Sequence, residues 1–143
     1  GSEMGFRNFV AAAREAIIVT TPEMSAVRDA DRVIGLLEAN DIKAVRLVIN
    51  RLRPAMVAAE QMMSVKDVQG ILSIPLLGVI PDDEQVIVST NKGEPLVLEE
   101  NLSKAGIAFT NVSQRLQGEK VPLMDLSIPQ ESFFTRLKRL FGV

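Results

Sequence analysis

Three short runs rich in Val and Ile, Ala16 to Thr21 (AIIVTT), Arg46 to Asn50 (RLVIN) and Leu76 to Pro81 (LLGVIP), alternate with helical patterns, and this alternation constrains the fold most. Each run ends in polar residues or Pro and is too short for a helix that must bury a face, so each reads as a buried parallel strand. Between the first two, Ala26, Ala30, Val33 and Leu37 form an apolar stripe flanked by Val27 and Ile34. Thr21-Pro22-Glu23 offers that helix a hydroxyl N-cap, a proline at its first position and a carboxylate favoured by the helix dipole. A second helix is expected from Ser64, whose spacing to Asp67 resembles a capping box, to about Leu72. The order strand, helix, strand, helix, strand implies right-handed crossovers and a parallel sheet covered by helices, with ligands gathering at the C-terminal strand ends.

Beyond Pro81 the pattern suggests a short strand near Val86 to Val88, a turn over Asn91 to Pro95, and a helix from about Asn101 to Leu116 with Ile107, Val112 and Leu116 on its apolar face. Residues 118–131 are punctuated by Pro and read as a linker that detaches the last twelve residues from the domain. Gly1-Ser2 resembles the remnant of a cleaved expression tag and takes no part in the fold reasoning.

Composition excludes whole classes of chemistry. There are no Cys and no His among the 143 residues, which removes disulfides, thiolate metal sites, Cys nucleophiles and the commonest general base. No apolar stretch approaches the roughly 20 residues that cross a bilayer, and no secretory pattern is visible, so a cytoplasmic setting is expected. Nucleic acid is set aside as a partner, because the chain has no Trp or Tyr to stack bases and its body is acidic.

That acidity is uneven. Arg136, Lys138 and Arg139 give residues 132–143 a charge of +3, so a chain of net charge −2 carries −5 elsewhere. At about 100° per residue, Phe133, Phe134, Leu137, Leu140 and Phe141 fall within an arc of roughly 120°. Thr135 and the basic residues occupy the other side. Such a helix suits reversible binding in the headgroup plane of an anionic membrane. A single tail binds marginally, since about 1 kcal/mol per basic residue and the burial of a few apolar side chains are largely offset by about 1–2 kcal/mol of ordering cost per residue. A dimer would gain avidity. A terminal helix docked on its own domain is the alternative.

At the strand ends, Asn50-Arg51-Leu52-Arg53-Pro54 and Pro81-Asp82-Asp83 lie on the expected functional edge. An Asn amide can pair with a purine edge and an Arg plane can stack on a base, although a surface turn explains the same residues. On the helix before them, Arg28, Asp31 and Arg32 lie away from the apolar stripe and Asp29 at its border, as a solvated charged face would.

The segments AIIVTTPEMSAVRDADRVIGLLE, LVINRLRP, LLGVIPDDEQVIVSTNKGEPLVL and FFTRLKRLFGV, in this order, resemble the C-terminal half of the MinD septum-site determinants, members of the deviant-Walker P-loop ATPases related to ParA. The resemblance covers nearly the whole chain from Glu3. It implies an α/β fold, the C-terminal half of a P-loop NTPase-type parallel sheet flanked by helices, with a C-terminal amphipathic helix. It further implies ATP and Mg as cofactors of the full-length family, ATP-driven dimerisation and membrane attachment, MinC and MinE as partners, and a part in placing the division septum on the inner face of the plasma membrane or in a plastid stroma. By resemblance Asn50, Arg51, Pro81, Asp82 and Asp83 match the adenine side. Arg28, Asp29, Asp31 and Arg32 match the MinC- and MinE-binding helix, and Phe133, Phe134, Arg136, Leu137, Lys138, Arg139, Leu140 and Phe141 match the membrane helix.

One departure is large: neither G-x-x-x-x-G-K-[ST] nor its deviant form occurs in these residues. No catalytic residue and no metal ligand is therefore assigned, and these residues alone are expected neither to hydrolyse ATP nor to bind it tightly. A sheet lacking the phosphate-loop half is expected to expose an apolar edge and face and so to favour self-association. A noncatalytic membrane adaptor that needs no nucleotide is the rival reading.

Overall fold

A computed structural model of the chain describes residues 2–98, 102–127 and 140–142. Its centre is a three-stranded parallel sheet in the order β1 (Glu15–Thr20), β2 (Ala44–Leu52), β3 (Leu76–Pro81). Helices α1 (Ser2–Ala12), α2 (Met24–Ala39), α3 (Pro54–Ala58), α4 (Val65–Leu72), α5 (Glu84–Lys92) and α6 (Lys104–Leu116) surround it, with a 3-10 turn at Leu96–Leu98.

The middle strand explains the layering. Val45, Leu47 and Ile49 of β2 pack with Val27, Ile34 and Leu37 of α2 and Val68 and Leu72 of α4, while Val48 packs with Leu77, Ala105 and Ala108 on the other face. Alternation at period two thus gives β2 a core on each side. β1 differs from the buried strand anticipated for it: it is an edge, and Ile17 and Val19 are 42% and 61% exposed. The apolar edge and face anticipated for such a sheet are present here.

Helix α2 starts later than its Thr-Pro-Glu signal suggests. Pro22 is buried and Glu23 is still extended (φ −119°, ψ 138°), so Glu23 is the N-cap and makes no side-chain cap bond. The buried stripe is Val27, Ala30, Ile34 and Leu37. Ala26 and Val33, placed at its centre from sequence, flank it instead. Helix α4 has the expected capping box: the Asp67 N–H donates to Ser64 Oγ (3.1 Å) and the Ser64 N–H to Asp67 Oδ2 (3.0 Å).

The strand anticipated near Val86 to Val88 is instead the middle of α5. Asp83 caps its first turn, and Gly93 ends it at φ +70°, a left-handed conformation cheap only for glycine. Between these stops Val86 packs inward and Ile87 and Val88 are exposed, a helical rather than an alternating arrangement. In α6 the buried residues are Ala105, Gly106 and Ala108 with Val112 packed beside them, whereas Ile107 and Leu116 are 40% and 43% exposed. Small residues predominate because α6 lies directly on β3, where Gly78 leaves the space that Val112 fills.

Residues 119–127 form neither helix nor strand, but they are held. Arg115 donates from Nε to the Val121 carbonyl (2.8 Å), from Nη2 to that of Pro122 (2.8 Å) and from Nη1 to that of Leu77 in β3 (2.9 Å). Met124 and Leu126 pack against the two cores. Of the anticipated membrane helix, Phe133, Phe134, Arg136, Leu137, Lys138 and Arg139 lie outside the described residues, and Leu140 and Phe141 are 79% and 75% exposed.

Candidate functional site

The C-terminal ends of β2 and β3 are joined by a short charged network. Pairing of the two strands is irregular between Ile49 and Leu52, and there Arg51 adopts φ +58°. A non-glycine residue in that region is strained by about 1–3 kcal/mol. Part of the strain is offset because Asn50 Oδ1 accepts the Arg51 N–H at 2.9 Å. The kink swings the Arg51 and Arg53 side chains onto one carboxylate: Asp82 Oδ1 lies 3.6 Å from Arg51 Nε, and Oδ2 lies 2.9 Å from Arg53 Nε. The Asp82 N–H closes the unit on the Leu52 carbonyl (2.8 Å). Both arginines are more than half exposed, so this network orients side chains rather than stabilising the fold.

Asp83 has a different part. Its Oδ1 accepts the Gln85 N–H (3.0 Å), its Oδ2 the Ala105 N–H (3.2 Å), and it joins the starts of α5 and α6. Partial burial pushes its carboxyl up, but the two backbone donors, the Ser103 hydroxyl and the Lys104 charge outweigh that and hold it below the usual carboxylate range. Pro81 is buried as the last residue of β3. Of the five residues matched to the adenine side, Asn50, Arg51 and Asp82 present polar groups at the edge, while Pro81 and Asp83 shape it from beneath.

A groove of about 560 Å³ runs along the open side of β1, bounded by α2. Ile17, Val19, Thr20 and Thr21 line it, and Asn50 and Asp29 reach into its walls. It therefore brings together one residue matched to the adenine side and one matched to the partner helix. The rest of that set, Arg28, Asp31 and Arg32, is exposed on α2, with Arg32 Nη1 3.6 Å from Asp29 Oδ1 and both side chains about three-quarters exposed.

These groups suit a base better than a polyphosphate. With Oδ1 of Asn50 already accepting one hydrogen bond, its amide N–H₂ remains a donor and Oδ1 keeps a second lone pair, enough for a purine edge. Among the described residues no glycine-rich loop stands ready to surround phosphate oxygens, and no group of three acidic side chains that could hold a metal ion occurs. Sequence reasoning overlooked Arg53 as the closer partner of Asp82; its signal was the second Arg of NRLRP.

A profile of the ParA family, described as "NUBPL iron-transfer P-loop NTPase", matches residues 3–117. The septum site-determining protein MinD of Synechocystis sp. is 58% identical over 139 residues, 97% of this chain and 52% of its own length. Among solved structures, the MinC:MinD cell division protein complex of Aquifex aeolicus matches with a TM-score of 0.80 and 42% identity, covering 84% of this chain and 49% of that one. The septum site-determining protein MinD complexed with Mg-ADP from Pyrococcus horikoshii matches with a TM-score of 0.62 and 30% identity, covering 73% of this chain and 41% of that one. The chain spans about half the length of the relatives it matches.

Proposed function

This chain belongs to the ParA family of P-loop NTPases, on the side of its septum-site-determining MinD members, and from that premise we propose that it forms the adenine-side, partner-binding and membrane-binding portion of a MinD-like regulator of division-septum placement. The observation that carries the reading is the kinked end of β2, where Asn50 and Arg51 stand beside Asp82 on the edge at which parallel α/β sheets take their ligands. Asn50 reads the base, Arg51 covers it, and Asp82 fixes the arginine. With the phosphate loop of the family's full domain, bound ATP and Mg would supply the energy of the cycle, and Asn50, Arg51 and Asp82 would hold the base. The matching Aquifex structure is a complex of MinD with MinC, and the exposed charges of α2 at Arg28, Asp29, Asp31 and Arg32 are the surface proposed for MinC and MinE here.

The tail completes the reading. Its basic amphipathic pattern fits an anionic membrane surface, and pairing two tails in a homodimer turns marginal attachment into firm attachment. Co-sedimentation with anionic and with neutral vesicles tests this, using the full chain and a variant ending at Glu131. The expected result is pelleting with anionic vesicles only, weakened by salt and lost with the truncation. Equal pelleting of the two proteins refutes the tail as the anchor.

A further inference from the structure

A second groove, of about 700 Å³, lies where the start of α2 meets α3, α4 and the turn between them. Met24, Met56, Met62 and Met63 line it, and Glu23, Glu60 and Asp67 stand among them; among the described residues no Lys or Arg contributes to its lining. We propose that this groove is the docking site of the chain's own tail, residues 132–143, so that the groove and an anionic surface compete for one basic amphipathic helix.

Chemistry and reach both favour that occupant. Thioether side chains are unbranched and polarisable, and a Met-lined trough accepts an amphipathic helix whose aromatic residues it can follow in shape. The tail offers three Phe and two Leu on one side and Arg136, Lys138 and Arg139 on the other, opposite in charge to the groove's carboxylates; Leu140 and Phe141 stand exposed outside the groove in the structure, so docking is a second arrangement of the tail. Leu126 packs on the same hydrophobic cluster as Val57 and Met63, two residues of the groove, so the chain passes the cluster just before the tail begins. From there residues 128–132 extend to about 17 Å, and an eleven-residue helix adds about 16 Å.

The groove is also wired to the strand ends. The Arg53 N–H donates to Met62 Sδ (3.3 Å), Arg53 Nη1 donates to Met56 Sδ (3.7 Å), and Arg53 Nε holds Asp82. A tail that rearranges these methionines therefore acts on the residue beside the proposed base site. Docking stands apart from the membrane reading; only the competition rests on it.

The full chain lacks cysteine, so a nitroxide can be placed at one position, Thr135→Cys, on the polar side of the tail. Methionine methyl NMR then reports its surroundings. The methyls of Met24, Met56, Met62 and Met63 should broaden strongly and Met4 little, independently of protein concentration. Glu23→Lys with Glu60→Lys should abolish the effect while lowering the thermal midpoint by only about 1–4 °C, since neither carboxylate makes a cap bond or ion pair among the described residues and only the dipole of α2 favours Glu23. Adding Arg136→Glu, Lys138→Glu and Arg139→Glu to that pair should restore it. Groove methyls broadened no more than Met4 overturn the proposal, as does broadening that falls on dilution, which would assign the groove to the tail of a second copy. In vesicle titrations the Glu23→Lys, Glu60→Lys variant should bind anionic surfaces roughly three- to tenfold more tightly, as expected if the groove holds the tail about 70–90% of the time. Anionic vesicles that bind neither protein, with broadening intact, defeat the membrane reading and leave docking standing; equal binding by both proteins without broadening does the reverse.

Discussion

Replacing Arg115 by Met tests how the segment before the tail is tied to the domain. The side chain donates to three carbonyls, Leu77 in β3 and Val121 and Pro122 in the following segment, all within 2.8–2.9 Å. Hydrogen bonds to a charged group contribute about 1.5–3 kcal/mol each when buried. Here one of the three is exposed, and Val121 and Pro122 can turn to water once released, so the set is worth about 2–3 kcal/mol rather than the sum. For a domain of this size that lowers the thermal midpoint by roughly 6–9 °C. Arg115→Lys, which can retain one bond, should fall between the two. Hydrogen exchange separates this from a general loss of stability: residues 119–127 should lose protection under conditions where β2 and α2 keep theirs. A midpoint for Arg115→Met equal to that of the wild type, with exchange of 119–127 unchanged, would refute the clamp.

Gly78→Ala sets a Cβ against Val112 and should destabilise by about 1–3 kcal/mol in urea titration; Gly78→Ala with Val112→Ala should recover much of the loss, and no recovery would point to backbone strain instead. Because the Asp83 carboxyl is held below its ordinary value in the fold, its contribution is present above the unfolded value of about 4 and is lost as pH falls through the folded one. Thermal midpoints of wild type and Asp83→Asn should therefore converge in acid and separate toward neutral pH; parallel curves would remove the ionised cap. Calorimetric titration of the chain alone with Mg-ATP should give no tight binding, and tight binding by these residues would overturn the division between base side and phosphate side.

Much of the scaffold was legible because its signals are local. The three Val- and Ile-rich runs became the three strands, and the Ser64 to Asp67 spacing became a capping box with both bonds made. The run Val86 to Val88 misled because β-branched residues outweighed their flanks; the informative residues were Asp83 before it and Gly93 after it, and the cap and the stop decided for helix. Helix α1, with Phe6 and Val10 packed on the core, went unread because its apolar pattern is short.

By itself the sequence determined the βαβ alternation, that these 143 residues contain no Cys, no His and no phosphate-loop motif, and the polarity of the tail, since each is a matter of residue type and near-neighbour spacing. Only the tertiary structure decided that Arg51 turns left-handed so that two arginines share Asp82, that Asp83 fastens two helices rather than facing the edge, and that four methionines from α2, α3 and the turn before α4 meet three carboxylates in one groove. Those arrangements join residues on separate elements through a strand irregularity and through crossings whose geometry the packing of the whole sheet sets.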